Sequence, residues 1–270
     1  MHSRLHAFGL PQFYNTLFNT GVYVKYFSKT GFLIGYSVRT RSPVFSIEYV
    51  TASNFRIHYQ RARRSYHSSR TLPKVLVAHK SHYKKFQKGH LATMSYHASC
   101  PKETCDTMNI VPMTHACNSA IERIEKIGRK LILDSNDGVC IATFPLYLKG
   151  DITADGIKGI KRVDMDLCEE RFPARNVQRE NAPTFPVPNF YAKIFILNNN
   201  IDGSRCYLVP NNNEISKTIS YIEMNWADLN EILGIKCWKI VDYWRVHVSV
   251  ASVEISINKF ICLEPDGESG

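Results

Sequence analysis

Between Thr51 and Cys100 the chain contains no Asp and no Glu. Over residues 1–100 Glu48 is the single acid, set against 15 Lys and Arg, a balance of +14. Residues 101–270 hold 19 Lys and Arg and 23 acids, so the formal +10 of the whole conceals a −4 remainder. This absence leaves the first part without an acidic face. The ten Lys/Arg and six His of residues 51–100 suit a polyanion, because each phosphate contact releases counterions. Long apolar runs are missing too. No stretch of 18 or more apolar residues occurs, so no membrane span is expected. The opening "MHSRLHAFGLPQFYNTLF" has no continuous apolar core, so no secretory signal is expected. Its Arg4 and two His without an acid are faintly like the start of a mitochondrial transit peptide. Internal repeats are absent, and low complexity is confined to the Asn clusters at 198–200 and 211–213.

Cysteine is not scarce: eight occur, expected to be reduced and mostly buried as small hydrophobes. Tight metal-ligand spacing is scarce. Cys100 and Cys105, with His97 and His115 nearby, could hold zinc, but no second tight pair completes a standard set.

What is present is a globular composition, 44% apolar and 21% charged, enough to build a substantial core over 270 residues. Pro43–Thr51 reads as a strand, opened by Pro and rich in β-branched and aromatic residues. "KVLVA" (74–78) reads as a short strand or loop, and 79–90 as basic loop or edge strand approaching a site. "NSAIERIEKIGRKL" (118–131) reads as a helix, with Ser119 and Glu122 as a capping box and Ile121, Ile124, Ile127 and Leu131 as its buried stripe. "VCIATFPLYL" (139–148), "FYAKIFIL" (190–197) and "RCYLVP" (205–210) read as strands, and 150–185 as an extended surface loop. "WADLNEILG" (226–234) is a short helix stopped by Gly. "VHVSVASVEISI" (246–257) alternates as a strand whose phase flips at Ala251–Ser252, the mark of a bulge or turn. The expected class is α+β, strands outweighing helices, without βαβ alternation. Trp226, Trp238 and Trp244 read as core or interface aromatics, and His58, His67, His79 and His82 as parts of a basic face.

One stretch joins these readings to chemistry: "FQKGHLATMSYH" (86–97), inside the acid-free segment. With Asn118 at zero on a helical wheel of about 100° per residue, Glu122 falls near ~40°, Glu125 near ~340° and Arg129 near ~20°. A polar stripe of Asn118, Glu122, Glu125 and Arg129 therefore lies opposite the isoleucines. An i,i+4 ion-pair face has the same appearance. Phosphodiester hydrolysis needs a base to activate water, a cation to offset the growing charge and a hydrogen-bond donor to hold the phosphate. A neutral His suits the first near pH 7. Mg²⁺, with an Asn amide oxygen as ligand and a nearby carboxylate orienting its bound waters, suits the second. Arg suits the third. His90, Asn118, Glu125 and Arg64 could fill those places, although spacing does not show that they meet.

The ordered set of motifs resembles the DNA/RNA non-specific endonucleases of the ββα-metal (His-Me finger) class, and in detail their endonuclease G branch. "QKGHLA" (87–92) stands where that family has Asp-Arg-Gly-His followed by Leu-Ala. "MNIVPMTHACN" (108–118) places Asn109, Pro112 and Asn118 at the offsets of its Ser-Asn-x-x-Pro-Gln and following Asn. "RIEKIGRKL" (123–131) resembles its helix, with one residue fewer between Asn118 and Glu125. "FGLP" (8–11), "YSVRTRSPVFSIE" (36–48), "RRSYH" (63–67), "TFPLYL" (143–148), "VPNFYAKIFI" (187–196) and "YLVPN" (207–211) continue the resemblance over about residues 8–235.

The resemblance implies a ββα-metal nuclease fold with a mixed, mainly antiparallel central sheet flanked by helices. It implies His90 as general base, Asn118 as direct ligand of Mg²⁺ (with Mn²⁺ as substitute), and Glu125 with Asn109 around the metal's waters. Arg64, Lys88 and Arg129 would grip phosphate. DNA and RNA would both be substrates with little sequence preference, and a homodimer is implied. The implied division is an N-terminal arm (1–24), an endonuclease domain (25–240) and a tail of unnamed role (241–270). Location would be mitochondrial, with nucleus or cytoplasm as alternatives, since "FGLP" at residue 8 leaves little room for a transit peptide. The departures are Gln87 and Lys88 for Asp-Arg, Met113 for Gln and Phe144 for Gly. They keep open a second reading: a weakened or inactive relative that still binds nucleic acid.

Overall fold

The computed structural model describes residues 22–55, 66–78, 83, 85–136, 138–149, 161–162, 171–173, 184–197, 200–212 and 221–233. Arg64, the 246–257 strand reading and the whole 241–270 tail lie outside these residues.

Seven strands form the main sheet: β1 (Val22–Phe27), β2 (Phe32–Ser37), β3 (Ser42–Val50), β6 (Val139–Leu146), β11 (Phe190–Leu197), β12 (Asn200–Pro210) and β13 (Ile222–Met224), in the order β1-β2-β3-β6-β11-β12-β13. Each neighbouring pair is antiparallel. β6 is inserted between β3 and β11 after a long excursion. That excursion carries β4 (Gln87–His90), the one-turn α1 (Pro101–Thr104), β5 (Ile110–Met113) and α2 (His115–Asp134). Beyond β6 come the short strands β7 (Leu148–Lys149), β8 (Lys161–Arg162), β9 (Arg171–Pro173) and β10 (Thr184–Pro186), within and around the segment read as loop. α3 (Trp226–Leu233) closes the described chain.

Alternation along β11 shows how the layers form. Ala192, Ile194 and Ile196 face one side and join Phe45, Phe144 and Leu208, covered by Leu229 and Ile232 of α3. Tyr191 and Phe195 face the other and meet Cys117, Ala120, Ile121 and Ile124 of α2, with Leu91, Val111 and Met113 of the excursion. The central strands are covered on both faces, which is why they read as near-continuous apolar runs. α2 comes very close to the sheet at Gly128, where a β-carbon would overlap Phe195 and the Tyr96 hydroxyl.

The structure adds to the sequence reading and corrects one point of it. β1 and β2, unread in the sequence, form one edge of the sheet, with Val22–Val24 in β1. Within "KVLVA", read as a short strand or loop, Lys74–Leu76 form a 3-10 turn. α2 starts one turn before the Ser119–Glu122 box: Thr114 is the N-cap, its Oγ1 accepting from the Cys117 amide at 3.2 Å. The small residues Cys117 and Ala120 let this extra turn pack against the sheet, so burial decided where the helix began.

Candidate nuclease site

The site is built on a ββα unit, β4–β5–α2. The β4–β5 pairing sets Gln87 opposite Met113 and His90 opposite Ile110. Gly89 answers why a glycine precedes the histidine. A β-carbon there would collide with the side chain of Met113, so the strand can lie against its partner only without one. Leu91 is buried with Met113 in the same core, while Lys88 and His90 stand on the alternate face beside Tyr66.

His90 is half-buried, its ring 5.7 Å from that of Tyr66 and its Nε2 3.9 Å from Cys105 Sγ. Lys88 Nζ lies 5.3 Å from the centre of the Tyr66 ring, a cation–π distance. Gln87 donates from Nε2 to His115 Nδ1 at 2.7 Å, joining β4 to the first residue of α2.

Asn109 is wholly buried and its amide is turned inward. Oδ1 accepts from the Ala92 amide at 2.7 Å, and Nδ2 donates to the Ala92 and Thr104 carbonyls at 3.0 and 2.9 Å. It pins the residues that follow His90. The structure thus places Asn109 as a latch behind the base, and its three bonds all end on backbone.

On α2, Asn118 is half-buried and donates from Nδ2 to Glu122 Oε1 at 3.2 Å. About two turns beyond Asn118, Glu125 keeps only 17% of its side chain exposed. Its Oε1 accepts from Thr93 Oγ1 at 2.8 Å and lies 3.7 Å from Lys193 Nζ. Burial raises the Glu125 carboxyl above its ordinary range; Lys193 and the Thr93 hydroxyl pull it back, and Glu48 and Glu122 push it up. Arg129 is exposed, its guanidinium 4.7 Å from the Phe55 ring centre.

Behind Glu125 lies a buried ionic cluster that the sequence reading did not assemble. Lys193 of β11, Glu48 of β3 and His97 are each fully buried. His97 Nε2 meets Glu48 Oε2 at 2.8 Å, and Lys193 Nζ lies 3.9 Å from Glu48 Oε1. Glu48 is the lone acid of the first hundred residues, and Lys193 is a charge inside an apolar strand. Those were the available signals. His97 goes to Glu48, His115 to Gln87 and Cys105 to His90, and among the described residues Cys100, Cys105, His97 and His115 do not gather as a metal site.

The described contacts tie hairpin to helix at two heights, Gln87–His115 at the start of α2 and Thr93–Glu125 further along. Comparison with known families gives this unit its meaning. The family model described as DNA/RNA non-specific endonuclease matches residues 11–243. The chain belongs to the DNA/RNA non-specific endonuclease family. A chain in the crystal structure of the EndoG/EndoGI complex, which concerns the mechanism of EndoG inhibition, matches with a TM-score of 0.57 at 19% identity. The match covers 77% of this chain and 82% of that one, and at such identity it is a likeness of fold. Comparison with curated proteins found no match. The mixed α+β architecture, with its large antiparallel sheet, is consistent with the ββα-metal nuclease fold of this endonuclease family.

The donor chemistry at α2 fits Mg²⁺. Among the described residues no three His, Cys, Asp or Glu side chains gather as a metal cage. Mg²⁺ commonly takes one or two protein oxygens and keeps water elsewhere. With its Nδ2 turned to Glu122, Asn118 has a hard, neutral amide oxygen left for that purpose.

Proposed function

We propose that this protein is a Mg²⁺-dependent endonuclease that hydrolyses phosphodiester bonds in DNA and RNA without sequence preference. The observation that carries the reading is the ββα unit, with His90 on its strand and Asn118 and Glu125 on its helix, inside the stretch that matches the endonuclease family. When bound by Asn118, Mg²⁺ would offset the negative charge growing on phosphate and the leaving 3′-oxygen. His90 takes a proton from the attacking water as the water oxygen bonds to phosphorus. The phosphorus–3′-oxygen bond then breaks, and the leaving 3′-oxygen takes a proton from solvent. Tyr66 beside the imidazole and Asn109 behind Leu91–Ala92 hold the base in place. Glu125 orders water next to Asn118. Lys88, Arg129 and Arg64 contact backbone phosphate, which reads no sequence. A homodimer acting in mitochondria is the assembly and compartment that the endonuclease G resemblance implies.

Gln87 favours a second reading. Its amide, bonded to His115, puts no negative charge where the family has one. A relative that binds nucleic acid without cutting it would carry such a change. The two readings part in one experiment: plasmid DNA and RNA incubated with purified protein in Mg²⁺, Mn²⁺ or EDTA, beside His90→Ala. Metal-dependent cleavage lost in His90→Ala supports the enzyme. Gel-shift binding without cleavage in either metal supports the binding relative.

A further inference from the structure

Thr93 sits three residues beyond His90, almost wholly buried, and every polar group of its amide and side chain is spoken for. Its amide donates to Glu48 Oε2 at 2.9 Å. Its Oγ1 lies 2.9 Å from Lys193 Nζ and 2.8 Å from Glu125 Oε1. A lysine ammonium can only donate, so Oγ1 must accept from Lys193. The single hydroxyl proton is then left for Glu125. Lys193 has its own direction set, because it also reaches the Leu91 carbonyl at 3.4 Å and sits between the carboxylates of Glu48 and Glu125. His97 holds Glu48 from the far side. A chain of one-way hydrogen bonds therefore runs from the sheet, through Thr93, to the helix of the site.

We propose that Thr93 is a positioning residue of the nuclease site, joining the segment after His90 to α2 by a hydroxyl proton that Lys193 directs onto Glu125. This rests on the endonuclease reading for its catalytic meaning. The hydrogen-bond direction itself does not. The charged groups acting on Glu125 are Lys193 from β11, Glu48 from β3 and Glu122 on its own helix, while Arg129, four residues further along that helix, lies over Phe55. None but Lys193 offers it a donor in place of the Thr93 hydroxyl within the described contacts.

The test compares Thr93→Val, which removes the hydroxyl at nearly constant shape, with Thr93→Ser, which keeps it. The first readout is the ¹³C shift of the Glu125 carboxyl followed over pH in metal-free protein, assigned with Glu125→Gln. Thr93→Val should titrate about one pH unit higher than wild type, and Thr93→Ser with wild type, because a donor to the ionised form is lost only in the first. The second readout is cleavage in Mg²⁺: Thr93→Val should lower kcat about tenfold with KM for DNA little changed, and Thr93→Ser should restore it. A Thr93→Val carboxyl that titrates with wild type, or a serine variant that behaves like valine, overturns the proposal. Thr93→Ala carries the same titration test if the valine variant does not fold. If wild type cuts nothing in either metal, the endonuclease reading fails, and the carboxyl titration still decides where the Thr93 proton goes.

Discussion

Replacing Lys193 by methionine removes one positive charge from a place where water cannot substitute for it. The side chain is fully buried, 3.9 Å from Glu48 and 3.7 Å from Glu125, and donates to Thr93 at 2.9 Å. Methionine fills a similar volume, so packing is largely kept and the charge is the change. Breaking a buried pair from one side costs about 3–5 kcal/mol, since the surviving carboxylates are left uncompensated. A domain of this size loses about 2–4 °C of Tm per kcal/mol, so the melt should fall by about 10 °C. Burial raises the Glu125 carboxyl and Lys193 lowers it, so the variant carboxyl rises further. A carboxyl that binds protons more tightly folded than unfolded stabilises the fold below its unfolded titration point. That contribution is lost as pH rises through the folded one. The deficit of Lys193→Met should therefore be largest near pH 8 and shrink toward pH 5. Glu48→Gln added to Lys193→Met should recover part of the loss, because the two side chains are coupled. Urea unfolding at both pH values measures all of this. A variant within about 1 kcal/mol of wild type at pH 8 would refute the view that these carboxylates depend on Lys193.

Gly128→Ala should destabilise by about 1–3 kcal/mol although alanine is the better helix former, because its β-carbon overlaps the Phe195 ring; urea unfolding tests the sign. Asn109→Ala leaves the Ala92 amide and the Ala92 and Thr104 carbonyls without their partner, and should lower stability by about 2–4 kcal/mol and activity with it. Asn118→Ala, on a half-exposed helical position, should keep the wild-type melt while metal affinity, read by Mn²⁺ titration, falls at least about tenfold. EDTA should abolish cleavage by wild type and leave its gel shift in place.

The helix 118–131, the strands at 139–146 and 190–197 and the motifs around His90 and Asn118 were legible in the order of residues, because each is a local pattern of period or spacing. The start of α2 was not, since Thr114 and the small residues after it matter only once the helix lies on the sheet. Nor was the β1–β2 edge, whose turn signals sit in a stretch without strict alternation. Single residues show the same division. His90 announced itself through "KGH", but the reason for its glycine is Met113, which arrives on the partner strand. Asn109 carried a motif position, yet its three bonds to backbone emerge only when residues 92, 104 and 109 are folded together. Glu48, Thr93 and Lys193 lie far apart in the chain. The bonds that unite them span 45 and 100 residues, and a buried charge has meaning only beside the partner that compensates it. Sequence carried the chemistry that identifies the family. Tertiary packing alone decided which groups lose water, and with it which hydrogen bonds have a single possible direction.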